Sequence, residues 1–444
     1  MHDITQTTNE LFQLGSKIAQ VYMRRILAAQ TSFISSVQSV TKSLSEPRNV
    51  KLENAWQAWE NYATDWAQRS VLFADTLRQR GNNYLAHERA DKPPVLAYEF
   101  ETIVDGRKFS RPVNYALVRI VPPTGITSDD TKRPFIIVDP RAGHGPGIGG
   151  FKQDSQVGVA LKAGHPVYFV IFFPRPEPRQ TLADVCEAET QFVEAVVKRH
   201  PKSPRPALVG NCQGGWATMM LAAARPDITG PIVINGAPMS YWSGSWQGGE
   251  GENPMRYSGG MLGGSWLALF ASDLGNGLFD GAHLVSNFEN LNPANTLWTK
   301  YHHLFANVDT EPPRFLEFER WWGGYSLMNE AEIRWIVNNL FVGNKLARGE
   351  VQAAPHSFVN LKAVRSPIIV FSSAGDNITP PQQALNWIAD VYSSTEEIKA
   401  NGQVIVAVFH EDVGHLGIFV SGRVAKKEHA QIVEVLKYIE ALRP

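Results

Sequence analysis

The chain has 444 residues, 43% of them hydrophobic and 19% charged, and a formal net charge of −1. That length buries a large core and suits two or three domains of ordinary globular composition. The charge balance excludes a general electrostatic drive toward nucleic acid or an anionic membrane surface. Two cysteines, Cys186 and Cys212, are too few for a disulfide scaffold or a cysteine-built zinc site, and they fit a reducing, cytoplasmic compartment. Met1–Glu10 is polar and lacks the basic-then-apolar pattern of a signal segment. Apolar runs such as Val167–Pro174 are too short to cross a bilayer, so no integral membrane segment is expected.

Residues 1–95 read as a helical N-terminal domain. Leu11, Leu14, Ile18, Tyr22 and Ile26 recur at helical spacing. A second helical stretch, Leu52–Tyr84, carries Trp56, Trp59, Tyr62, Trp66, Leu72 and Leu77, after a break around Ser45–Asn49. Asp91–Pro94 ends the helical section. From Val95 the pattern changes. Tyr98–Val104 and Val113–Ile120 read as strands joined by a turn at Asp105-Gly106. Strands and helices then alternate: strand Pro134–Val138, helix Gln153–Ala163, strand Pro166–Phe173, helix Leu182–Arg199, strand Pro206–Val209, helix Gly214–Ala224 and strand Gly230–Asn235. Apolar strands alternating with helices predict a buried, mainly parallel sheet. Residues 237–355 interrupt this pattern with Gly, Trp and Asn and one helix at Ala331–Leu340, and read as a cap insertion. Strands Ile368–Ser372 and Gln403–Val408 and a closing helix Lys426–Leu442 complete a domain over 96–444.

The strongest local signal is Gly210-Asn211-Cys212-Gln213-Gly214-Gly215, between a strand and a helix. This is the setting of a nucleophile elbow, G-x-nucleophile-x-G, with cysteine in the reactive position, and it predicts an α/β-hydrolase fold. The sharp turn lifts the side chain above the sheet, and the helix N-terminus beneath it favours a thiolate. Read without that context, Cys212 would be one more buried structural cysteine, as Cys186 within its helix is taken to be.

In this fold the acid and the histidine follow the nucleophile in chain order. Asp376, in the loop after strand Ile368–Ser373, is the acid candidate, with turn or helix capping as its alternative role. His415, in Val413-Gly414-His415-Leu416-Gly417 after the last strand, is the candidate base, and His410 is the fallback. The backbone N–H of Gln213 is one expected oxyanion donor, and the other should come from the loop Asp139–Gly145. Gly143 and His144 in that loop, and Trp216 on the helix after the elbow, are candidate substrate-pocket residues. His144 could equally act as a cap. The loop lacks a P-loop ending and the dinucleotide spacing, so nucleotide binding is discounted. Trp242, Trp246, Tyr257, Trp266, Trp321, Trp322 and Tyr325 form either the cap's core or an apolar tunnel for an acyl chain. The histidines are scattered, so no metal site and no cofactor are expected.

These motifs together resemble the polyhydroxyalkanoate synthases. Gly210–Gly215 is similar to their lipase-like box, where cysteine replaces the lipase serine. Gly375-Asp376-Asn377-Ile378-Thr379-Pro380 resembles their aspartate motif, and Val413–Gly417 their Ser-Gly-His-Ile segment. Ile136–Pro140 resembles the strand leading to their oxyanion loop, and that match implies Ala142 as the second N–H donor. The resemblance spans roughly 95–444, with a weaker likeness at Trp66-Ala67-Gln68-Arg69. It departs where the synthases carry Asn-Lys-x-Tyr and this chain has Gly143-His144-Gly145-Pro146, and where their Asn-Pro-Pro tail is Val420-Ser421-Gly422. The resemblance implies the fold, the triad and a hydroxyacyl thioester of coenzyme A as substrate. It does not carry over polymerisation, because one fold and one triad host many reactions.

Three functions follow. The first is an acyltransferase acting on a hydroxyacyl thioester. The second is a thioesterase, esterase or polyester hydrolase, which differs only in water reaching the acyl-enzyme. The third is a non-catalytic protein that docks on a partner or a granule through its helical N-terminal face. A homodimer through the cap or the helical section is a further expectation.

Overall fold

The computed structural model describes residues 52–243, 264–354 and 357–444, with scattered helical positions between 20 and 41. Leu11, Leu14, Ile18, Tyr22 and Ile26, the break at Ser45–Asn49, and Trp246 and Tyr257 lie outside the described residues. The chain divides into two compact units, Met1–Leu72 and Phe73–Pro444. Helix α1, Leu52–Arg89, has no proline and one glycine over 38 residues, which favours an uninterrupted helix. Asp91 and Lys92 then take positive φ values of 60° and 47°, which stops it.

The second unit is built on one eight-stranded sheet. Its strands are β1 (Phe100–Asp105), β2 (Tyr115–Ile120), β3 (Phe135–Val138), β4 (Val167–Phe172), β5 (Ala207–Asn211), β6 (Ile232–Asn235), β7 (Ile368–Ser373) and β8 (Ile405–His410). Their order is β1-β2-β4-β3-β5-β6-β7-β8, antiparallel at β1/β2 and β2/β4 and parallel elsewhere. This is the α/β-hydrolase arrangement. Residues of β3, β4, β5, β6 and β7 are buried throughout, which is why their sequences are unbroken apolar runs rather than alternating ones. Helices α2 (Gln156–Lys162), α3 (Leu182–Arg199) and α4 (Gln213–Ala224) fill the crossovers. Helix α3 has the expected bounds because Thr181 and Asp184 close a capping box at its start.

Register places the chemistry at one edge. Val138 pairs with Gly210, Asn211 with Asn235, and Phe371 with Asn235, so the loops after β3, β5, β6 and β7 leave the sheet side by side. That carboxyl edge is where open α/β sheets hold their ligands.

Between β6 and β7 the cap contributes helices α5 (Trp266–Leu274), α6 (Ala282–Asn290), α7 (Lys300–Ala306), α8 (Pro312–Trp322) and α9 (Glu330–Ile336), and a short antiparallel pair, Leu278–Asp280 with Leu327–Asn329. Ile232, Ile234, Trp216 and Met219 share one buried cluster with Met328, Ile333 and Ile336 of the cap. Two expectations shift. Helix α9 passes after Ile336 into a π-helical turn over Val337–Phe341, so the helical stretch reaches one residue past the expected Leu340 with a change of winding. The closing helix stops at Val435, and only a single 3-10 turn, Ile439–Ala441, follows.

Candidate active site

Cys212 sits at the turn between β5 and α4 with φ 47° and ψ −119°, a left-handed conformation that a non-glycine residue adopts only where its surroundings enforce it. The flanking glycines permit it. A Cβ on Gly210 would lie 2.5 Å from the Gly214 carbonyl oxygen, and one on Gly214 would lie 2.3 Å from that of Val138. The Cys212 backbone N–H donates to Asn235 O at 2.9 Å, and its side chain is buried.

Beneath the turn lies a polar cluster that sequence reasoning missed. Asn211, fully buried, donates from Nδ2 to Asp139 Oδ1 at 3.0 Å and to Gln156 Oε1 at 2.8 Å. Its Oδ1 accepts from Gln156 Nε2 at 2.9 Å and Asn235 Nδ2 at 3.0 Å. Asp139 also accepts from the N–H groups of Gly147 at 2.8 Å and Gly149 at 3.2 Å. Burial pushes the Asp139 carboxyl up to about 6, against the pull of Asn211 and these N–H groups. The cluster ties the elbow to the loop after β3. The only trace of it in sequence is a run of polar residues at the ends of apolar strands.

Ala142 in that loop is buried, and among the described residues neither its backbone N–H nor that of Gln213 meets an acceptor. Gly143 and His144 face the cap. Gly143 O accepts from Ser326 N at 2.9 Å. The His144 ring lies 4.4 Å from that of Trp321 and 4.5 Å from that of Trp322, centroid to centroid, with Nδ1 3.1 Å from Trp322 O. Burial pulls this histidine down to about 3, so it is neutral. Trp216 is buried against Trp335, 6.1 Å between ring centroids.

Asp376 and His415 meet across the tips of β7 and β8. His415 Nδ1 donates to Asp376 Oδ2 at 2.7 Å. Asp376 Oδ1 accepts from the N–H groups of Ile378 at 2.9 Å and Thr379 at 2.8 Å, so the carboxylate caps its own turn and orients the ring at once. The two loops are bound together: Ser373 Oγ donates to Val413 O at 2.6 Å, and a Cβ on Gly375 would lie 2.2 Å from Asp412 O. Burial disfavours a charge on His415, but the Asp376 carboxylate and the Cys212 sulfur outweigh it and push the imidazole up to about 10. His410 instead takes the N–H groups of Asp412 and Val413 on Nδ1, both at 3.2 Å. Cys186 is unpaired within α3, its thiol pushed up to about 12 by burial. His415 opens onto a cavity of about 360 Å³, with Asn292, Thr296, Lys300 and Trp322 on the cap side and Asn377 and Ile378 on the other. Of the aromatic set, Trp321 is buried core, Trp322 reaches this cavity, and Trp266 is exposed. Among the described residues no helix is long and apolar enough to cross a membrane. No group of three or more His, Cys, Asp or Glu among them is placed to hold a metal ion.

Residues 65–444 match the family described as Protein of unknown function (DUF3141). The "Uncharacterized protein in ackA 5'region" of Rhizobium meliloti is 57% identical over 384 residues, covering 86% of this chain. The chain spans about half, 52%, of that relative's length. The "Poly(3-hydroxyalkanoate) polymerase subunit PhaC" of Synechocystis sp. is 25% identical over 282 residues, which is 61% of this chain and 69% of that protein. Among solved structures, the Paleococcus ferrophilus monoacylglycerol lipase aligns with a TM-score of 0.41 at 14% identity, over 73% of this chain and 98% of that one. The chain belongs to the DUF3141 family.

Proposed function

We propose that this member of the DUF3141 family is an acyltransferase in which Cys212, His415 and Asp376 act as nucleophile, acid–base and orienting carboxylate on an acyl thioester. The observation that supports the reading is the 2.7 Å bond from His415 Nδ1 to Asp376, on a ring whose charge is favoured by the Cys212 sulfur of a strained elbow.

In the proposed cycle the Cys212 thiolate attacks the thioester carbonyl carbon, and the charge on the carbonyl oxygen is received by the N–H groups of Gln213 and Ala142. The C–S bond to the leaving thiol breaks, and that thiolate takes the proton from the His415 imidazolium. His415, now neutral, accepts the proton of an incoming hydroxyl, whose oxygen attacks the acyl-enzyme. Cys212 leaves as thiolate and the ester is released. Asp376 keeps Nδ1 protonated throughout, so Nε2 faces the reaction. A coenzyme A thioester suits this cycle because the attacking and leaving groups are both thiols. The likeness to the Synechocystis polymerase subunit supports a hydroxyacyl group. Two unpaired cysteines fit a reducing compartment such as the cytosol.

Hydrolysis is the second reading. The cavity at His415 presents Asn292, Thr296 and Lys300 and has room for water beside the ring.

Purified protein mixed with β-hydroxybutyryl-coenzyme A tests both, with thiol release followed beside Cys212→Ala and products examined by intact mass. Release that depends on Cys212 and leaves a growing adduct supports transfer. Release that yields only free acid supports hydrolysis. Absence of Cys212-dependent release, with no labelling of Cys212 by iodoacetamide, points to a non-catalytic protein.

A further inference from the structure

A second cavity, of about 310 Å³, is walled by α3, α4 and α9. Its size falls at the lower end of small-molecule sites, about 300–1,000 Å³. Val185, Met220, Trp335 and Ile336 give it apolar walls, and Gln213 and Gly214, the two residues after Cys212, close one end. Cys212, Asp376 and His415 do not line it.

Several polar groups in this wall have unmet atoms, Arg141 Nε, Gln213 Oε1 and Trp216 Nε1 among them, and one carboxyl has no partner at all. Glu189 projects from the middle of α3 with 4% of its surface exposed, and among the described residues it makes no hydrogen bond and no ion pair. The other carboxylates of the wall are satisfied. Glu332 pairs with Arg141 at 2.8 Å and accepts from Gln180 Nε2 at 2.8 Å. Asp139 is held by Asn211 and two backbone N–H groups. Burial pushes the Glu189 carboxyl up to about 8, so at neutral pH it is an acid with a proton to donate. A leucine would fill this position without the desolvation cost that an unmet carboxyl carries. The acid is useful there if something in the cavity receives its hydrogen bond.

We propose that this cavity is a ligand site for a compact, mainly apolar molecule that carries a carbonyl or hydroxyl oxygen, and that Glu189 recognises that oxygen as a hydrogen-bond donor. The ligand's body packs against Val185, Met220 and Trp335. Because the far wall is the first turn of α4, the occupant touches the helix that presents Cys212 without touching the sulfur. None of Cys212, His415 and Asp376 contributes to the site, while Gln213, a proposed oxyanion donor, stands in its wall.

Calorimetric titration of the full chain with methyl heptyl ketone, which cannot be hydrolysed, tests the assignment, with octylamine as the cationic counterpart. Wild type and Cys212→Ala are expected to bind the ketone equally, and octylamine more weakly. Glu189→Gln keeps a donor and should bind within about twofold of wild type. Glu189→Leu removes the donor and should bind roughly tenfold more weakly while melting at an equal or higher temperature. The proposal is overturned if wild type binds no ketone up to its solubility, or if Glu189→Leu binds it as tightly as wild type. Tighter binding of octylamine than of the ketone overturns the donor role of Glu189 without needing any variant.

Discussion

Replacing Asp376 by asparagine changes one oxygen into an NH₂ group and leaves the shape of the side chain intact. The turn survives the change, because the amide oxygen can still accept from the N–H groups of Ile378 and Thr379, now at 2.9 and 2.8 Å. The other end of the side chain then sets a donor against His415 Nδ1, where a carboxylate oxygen now accepts at 2.7 Å. Two donors cannot share one bond, so the ring takes the tautomer with Nδ1 bare and Nε2 protonated, and Nε2 can no longer receive a proton. The ring also loses its nearest negative charge, one of the two that hold it up at about 10 against burial. A triad carboxylate replaced in this way costs roughly a thousand- to ten-thousand-fold in turnover through the wrong tautomer alone. The expected result is a loss of that size in thiol release from an acyl thioester. Slower alkylation of Cys212 by iodoacetamide at neutral pH should accompany it, with destabilisation held to about 1–3 kcal/mol in urea unfolding. A folded Asp376→Asn protein that acylates and alkylates at the wild-type rate would refute the coupling of Asp376 to Cys212 through His415.

Three further outcomes follow from described contacts. The His415 imidazole is raised from about 6.5 in the unfolded chain to about 10 in the folded one. Its contribution to stability is therefore complete below about pH 6.5 and lost as the pH rises toward 10; a melting temperature that holds or rises over that interval would contradict it, and His415→Ala should flatten the slope. Gly214→Ala drives a Cβ to 2.3 Å from the Val138 carbonyl oxygen, which is backbone and cannot swing away. It should cost about 1–3 kcal/mol in denaturant unfolding and lower Cys212 reactivity as well. Arg141→Met strands the buried Glu332 carboxylate that it now meets at 2.8 Å and should destabilise by about 3–5 kcal/mol. The double variant Arg141→Met/Glu332→Leu should recover most of that loss.

What was legible in the sequence is what local chemistry decides. The strands announced themselves because burial on both faces demands unbroken apolar runs such as Phe135–Val138 and Val167–Phe172. Helix α3 was bounded correctly because its capping box is four residues long. Chain order in this fold points to Asp376 and His415, and their side chains meet at 2.7 Å. The hidden parts depend on partners that folding alone brings together. Asn211 reaches Asp139 across 72 positions and Gln156 across 55, and Arg141 reaches Glu332 across 191. His144 looked free in a glycine-rich loop, but the two tryptophans that enclose it come from α8, 177 and 178 positions on (321 − 144 and 322 − 144). Glu189 carries no signal in the sequence, and the packing of α4 and α9 around it leaves it unmet.

The seam between the loop after β3 and the cap has a mechanical consequence. Gly143 O accepts from Ser326 N at 2.9 Å, Gly145 N donates to Gly324 O at 3.0 Å, and Trp321 Nε1 donates to Gly145 O at 3.0 Å. Ala142 is the residue immediately before these anchors. A cap riding on such a seam is not a door hung on a separate frame. Any lift of residues 321–326 hauls on the segment that carries Ala142, so under the proposed mechanism cap movement and charge stabilisation ride on one lever. Grafting a foreign cap onto this scaffold would therefore have to transplant Gly143–Gly145 with it, or leave the proposed donor without its tether.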